Sequence, residues 1–243
     1  MRMTKNKTIM RVIFYVAGLL VLALGIILNT KSGLGVSPII SVSYSISTIL
    51  NINFGNMTFV LYGIFVVLEV ILHIIKYVRM PKKMSKQDNE ALEPAIHKSI
   101  YLVILMDILQ LPLSLVFTRF MNLFSAWIPA PSENVIAQFA CLLGGIIFTG
   151  IGAAMSLNMR IIPNPGDGIV QAIADCIGKP VGFTKNCFDL FNICITIGVG
   201  LVFAHRLIGV GIGTVIAVLG VGRVIALFNH MFMDKMIAAA GVE

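Results

Sequence analysis

Two short stretches of this chain combine glycine, proline, a small polar residue and one cation between long apolar runs. The first reads Asn29-Thr30-Lys31-Ser32-Gly33-Leu34-Gly35-Val36-Ser37-Pro38. The second reads Asn158-Met159-Arg160-Ile161-Ile162-Pro163-Asn164-Pro165-Gly166-Asp167-Gly168. Glycine lets backbone turn sharply and approach a ligand. Proline suits the first turn of a helix, where its missing N–H costs nothing. Ser37 and Asn164, each just before a proline, are natural N-caps. Each stretch therefore ends at the start of a helix. A helix N-terminus exposes unsatisfied N–H groups and partial positive charge, a ready anion site. The chemistry expected is binding of a small anionic or zwitterionic solute. Gly33, Gly35, Ser37, Pro38, Asn164, Pro165, Gly166, Asp167 and Gly168 would supply the binding backbone, and Lys31 and Arg160 the attracting charge. The plainer reading is a pair of ordinary surface loops between a long and a short helix.

Lone charges inside apolar runs are the second kind of candidate. Asp107, with Gln110 one turn on, and Arg223 each lie deep in such a run. Charges at that depth are rare and face a cavity or a partner. Asp107 and Arg223 fit substrate binding, proton carriage or a structural ion pair with each other. Arg223 is counted with the substrate-binding set, and Asp107 with Asp175 as proton- or ion-coupling groups. Arg119 fits snorkelling to the interface. Asp167 and Asp175 fall eight residues apart, roughly on one helix face, and Asp167 in a first turn also suits the helix dipole. Lys185 and Asp189 are spaced for a local i,i+4 pair, and Asn192 shares the face of Asp189.

Other chemistries find no constellation. The four cysteines (Cys141, Cys176, Cys187, Cys194) form no C-x-x-C pair and read as small packing residues. The histidines are scattered, so neither a metal site nor a cofactor is expected. Gly178-Lys179 is followed by Pro180, which excludes a nucleotide-binding P-loop, and no hydrolase or kinase signature occurs. No enzyme is expected. Energy for any transport comes from a gradient, an exchanged solute or a separate ATPase subunit.

The elements that position these residues are membrane helices. The chain has 243 residues, 58% of them hydrophobic and 12% charged, with a mean hydropathy of +0.94. Soluble proteins carry roughly 25% charged residues. The net charge of +7 sits in short basic segments beside apolar runs, the positive-inside pattern rather than a nucleic-acid surface. Spans are expected at about 9–29, 56–77, 99–124, 134–157, 183–204 and 209–233. The first is too long, and too closely followed by others, for a cleaved signal. Ser37–Leu50 and Pro165–Ile177 cover only about 20 Å as helix, short of the roughly 30 Å hydrocarbon core.

Part of the chain recurs. Gly18–Ile75 lies over Gly145–Val202 at a constant offset of 127 residues, matching Gly18 to Gly145, Gly25 to Gly152, Pro38 to Pro165 and Gly55 to Gly182. Both the N-terminus and the Lys76–Lys98 loop are basic and belong inside, which requires Ser37–Leu50 to dip in and return. Each half then has three crossings and one half-helix, so the second half is inverted. The expected architecture is an all-α polytopic membrane protein with two inverted repeats. Residues 1–124 form the first repeat, including the cytoplasmic loop 76–98, and residues 134–243 the second. Both termini are cytoplasmic. Small-residue spacings such as Gly145/Thr149/Gly152 permit close helix packing.

The run Gly18–Pro38, with Ala23-Leu24-Gly25, Lys31 and Leu34-Gly35-Val36-Ser37-Pro38, resembles the YczE/YitT-like family of bacterial integral membrane proteins. Pro165-Gly166-Asp167-Gly168 and Gly211-Ile212-Gly213-Thr214 are similar to the same family. Arg223 departs from it, standing where an uncharged residue or proline is expected. The resemblance implies a bacterial inner-membrane location and a transport role, without a substrate. The functional expectation is a transporter or facilitator of a small organic anion or zwitterion, working through a central site in the lipid bilayer without nucleic acid. Whether it forms a homo-oligomer is open. The alternative is a non-transporting membrane partner or the substrate-capture subunit of a multi-protein complex.

Overall fold

The computed structural model describes the backbone of residues 5–79, 86–131 and 134–242, and their side chains except at 5, 79 and 86–99. Among the described residues there are eight helices: α1 Lys5–Lys31, α2 Pro38–Leu50, α3 Phe54–Arg79, α4 Lys86–Trp127, α5 Val135–Asn158, α6 Pro165–Ile177, α7 Val181–Ala204 and α8 Ile212–Ala240. Six of them are long and apolar enough to cross a membrane; α2 and α6 are not. Apolar side chains such as Val60, Val67, Leu102 and Val202 are exposed, as lipid-facing positions are.

The centre of the bundle is the crossing of α1 and α5. A Cβ on Gly18, Gly25, Gly145 or Gly152 would collide with backbone of the facing helix, so these four glycines set how closely the helices approach. Gly18 faces Gly152 and Ser156, Gly25 faces Thr149, and Gly145 faces Asn29, which makes the pair antiparallel. The contacts are also self-related: adding 127 turns the Gly18–Gly152 approach into Gly145–Gly25. Outside this pair, α2 packs on α7 as α6 packs on α3, and α1 on α4 as α5 on α8. This pattern is consistent with a two-fold inverted repeat.

The direction of each helix follows from its partners. α3 and α4 are antiparallel, linked by Arg119 to Asn56 at 2.8 Å and by Gln110 to Glu69 at 2.7 Å. α6 runs parallel to α3: Asp167 lies beside Tyr62, the Cys176 thiol donates to the Leu72 carbonyl, and Lys76 donates to Asp175 at 2.9 Å. α2 runs antiparallel to α3 (Ser43 to Thr58, 3.1 Å) and beside α7 (Ser41 to Thr196, 2.7 Å). Hence α1 ends, α2 ends and α3 begins at one end of the bundle. α2 starts inside it and returns to the end that α1 had reached. α6 does the same from the opposite end. The start of α1 and the end of α8 meet, with Gly241 against the Lys7 side chain.

Three differences from the sequence reading have local causes. The backbone of α4 is helical from Lys86, reaching into the expected 76–98 loop, where Ala91, Leu92 and Glu93 are strong helix formers. Residues 80–85 of that loop lie outside the described residues. α8 continues to Ala240, because Met236 and Ala240 bury against the core. Ser37 holds the N-cap position of α2 but makes no capping bond with its hydroxyl, whereas Asn164 accepts from the Gly166 N–H at 3.0 Å.

Candidate functional site

The connections that lead into the half-helices are held by side chains and backbone of neighbouring spans. Residues 159–164 turn through Arg160, which has a φ of 48°. Arg11 donates to the carbonyls of Met159 and Arg160 at 2.7 and 2.8 Å, and the Tyr15 hydroxyl to that of Ile162 at 2.8 Å. These bonds satisfy carbonyls that the non-helical turn leaves without helical partners. Residues 32–37 are clasped instead by the start of α8. The Gly213 N–H donates to the Leu34 carbonyl at 2.8 Å, and the Val36 N–H to the Gly209 carbonyl at 2.9 Å. Gly35, at φ 121°, abuts Gly211 and Thr214; only glycine suits both that torsion and that approach.

The two half-helices start close together. Ile39 of α2 touches Gly166 of α6. Beside this contact lies a narrow, partly open space of about 50 Å³, lined by Ser37, Asn164, Gly166, Asp167, Tyr62, Thr149 and Lys185, with Leu22, Ile26, Ile39, Ala153, Val221 and Ile225 as its apolar wall. A water needs roughly 10–15 Å³ of such space. The space therefore suits a few waters or one small ion, and an organic solute needs the helices to part.

Of the sequence candidates, Ser37, Asn164, Gly166 and Asp167 line this space. Pro38 and Pro165 open the two helices, and Gly168 lies one turn into α6, against Glu69. Lys31, Gly33 and Gly35 stay at the end of α1, away from the space, and Gly33 is exposed with open room around its Cα. Arg160 is exposed beside Pro163 at the other end. Arg223 is exposed on α8, while Val221 and Ile225 of that helix reach the space. Asp107 pairs with His73 at 2.7 Å, and Asp175 with Lys76. Lys185 lies 3.6 Å from Asp189, the local pair its spacing indicated, yet it also reaches the space.

The sequence reading missed Glu69, Tyr62 and Thr149. Glu69 is the clearest omission. It is a lone carboxylate inside an apolar span, found by the same rule that singled out Asp107. It is 1% exposed, accepts from Gln110, and lies against the first turn of α6 beside Asp167.

Helix number, apolar length and this internal packing define a polytopic all-helical membrane protein of transport-like architecture. Residues 9–82 and 95–230 match the model of DUF6198, described as a family of unknown function; the chain belongs to that family. No curated protein and no solved structure matches it.

Proposed function

We propose that this protein is a secondary transporter working by alternating access around the point where α2 and α6 begin. The observation that carries the reading is the meeting of two half-helix starts from opposite ends of the bundle, beside a narrow space lined by Lys185 and Asp167. Half-helices that meet in this way, from repeats of opposite orientation, are the binding element of several transporter folds. The positive ends of the two helix dipoles and Lys185 favour a carboxylate or phosphate group, and Asp167 favours an amine, so the solute is a small anion or zwitterion. Rocking of one repeat against the other widens this space toward each face in turn. The basic end, with Lys7, Arg11, Lys76 and Lys179, is cytoplasmic by the positive-inside rule, in a bacterial inner membrane as the YczE/YitT resemblance implies.

The test is thiol accessibility of Ser37→Cys and Asn164→Cys in a cysteine-free background, probed with impermeant reagents from each face of oriented vesicles. Alternating access predicts labelling of each cysteine from both faces. Labelling from one face only, or from neither, overturns the reading, and a stoichiometric second protein in the purified sample would then favour a non-transporting partner.

A further inference from the structure

Behind the lining of the central space lies a cluster of carboxyl and amide groups. Glu69 and Gln110 are each 1% exposed, and the amide of Gln110 donates to Glu69 Oε2 at 2.7 Å. Their other oxygens, Glu69 Oε1 and Gln110 Oε1, are both buried without a hydrogen-bond partner. Two orphaned acceptors on a bonded pair are costly in a low-dielectric interior, and more so if one belongs to an ion. A single proton changes this. On Glu69 Oε1 it makes that oxygen a donor, and Gln110 Oε1 is the acceptor on the residue already bonded to it. The acid and the amide are then a neutral pair, and the proton supplies the donor that their two orphaned acceptors lack.

Position ties this pair to the central site. A Cβ on Gly168 would lie 2.7 Å from Glu69 Oε2, so the carboxyl touches the first turn of α6, one residue after Asp167. Asp167 and Asp107 both act on Glu69 by charge, and Lys185 and Asp189 of α7 stand beyond Asp167. α2, packed on the other part of α3, carries no charged residue. Along α3, Glu69 is followed at helical spacing by His73, bonded to Asp107, and Lys76, bonded to Asp175. This stripe runs toward the end of the bundle where α3 finishes, and exposure rises along it, from 18% for the His73 side chain to 38% for that of Lys76. A proton on Glu69 would neutralise the buried carboxyl and turn an orphaned acceptor into a donor.

We propose that Glu69 is a proton-binding site, its carboxyl paired with Gln110, and that the proton is the coupling ion of the carrier. The coupling half rests on the transport reading; the proton site stands without it. Proton transfer moves only H⁺, from Glu69 to the His73–Asp107 pair and on to bulk water, and needs no further reactant. Loss of the proton leaves charge against α6, so occupancy of Glu69 biases the half-helix that lines the solute site.

Infrared difference spectroscopy of the full chain in lipid tests the site directly. A carboxylic-acid C=O band is expected at neutral pH, absent from Glu69→Gln, shifted in Gln110→Leu, and lost as pH rises. Coincident spectra for wild type and Glu69→Gln overturn the proposal. If Glu69→Gln does not fold, an unshifted band in Gln110→Leu overturns it equally. For coupling, labelling of Asn164→Cys is expected to change several-fold with pH in the wild-type background and not at all with Glu69→Gln. Labelling from both faces that ignores pH overturns coupling while transport stands. One-sided labelling with the band present overturns transport and leaves the proton site standing.

Discussion

Gly18 and Gly152 lie one against the other across the α1–α5 crossing, and the repeat-related glycines Gly145 and Gly25 do the same on its far side. Helix packing in lipid has no hydrophobic drive, so close backbone approach through small residues carries the association. The crossing thereby fixes the frame on which both half-helices hang.

Adjacent glycines on α5 give the sharpest test of that frame. Gly145→Leu drives a side chain into the backbone of Asn29, whereas Gly144 has open space around it. Overpacking costs about 1–3 kcal/mol or more. Thermal unfolding of the purified variants is expected to show a drop of several degrees, or no recoverable protein, for Gly145→Leu, and little change for Gly144→Leu.

Opposite dips imply opposite exposure of the two returns. Asn53, after α2, and Lys179, after α6, are both exposed. In a cysteine-free background, impermeant thiol reagents on intact cells are expected to label Asn53→Cys and to spare Lys179→Cys. Equal labelling would mean that one short helix crosses.

Arg11 grips two carbonyls of the second dip at once. Lysine cannot reproduce that fork. Hydrogen exchange over residues 159–164 is expected to quicken in Arg11→Lys and further in Arg11→Ala, with the α3–α4 interface unchanged.

The two side-chain pairs on the α3 stripe differ in burial. Lys76 and Asp175 are 38% and 36% exposed in their side chains, and His73 and Asp107 are 18% and 7%. An exposed pair contributes about 1 kcal/mol or less, while removing one partner of a buried pair strands the other. Asp107→Ala is expected to lower the unfolding temperature clearly more than Asp175→Ala; the reverse order would place the load on the outer pair.

The spans and the two short helices were legible in the sequence, because apolar run length and glycine–proline punctuation are local properties of the chain, and the helix contacts are consistent with the repeat read there. The sequence also marked Ser37, Asn164, Gly166 and Asp167, since N-caps and first turns are read from neighbours along the chain. Which charges share a place depends on how the helices pack. Lys31 and Arg160 sit in the right breaks, yet a few residues of chain carry them to opposite ends of the bundle, away from the central space. Lys185 enters that space from α7, more than a hundred residues from Ser37, and Glu69 meets Gln110 only because α3 and α4 run antiparallel in register. Spacing along a helix specifies a face. What that face meets depends on crossings such as Gly18 on Gly152, where backbone approach across the whole chain sets the geometry.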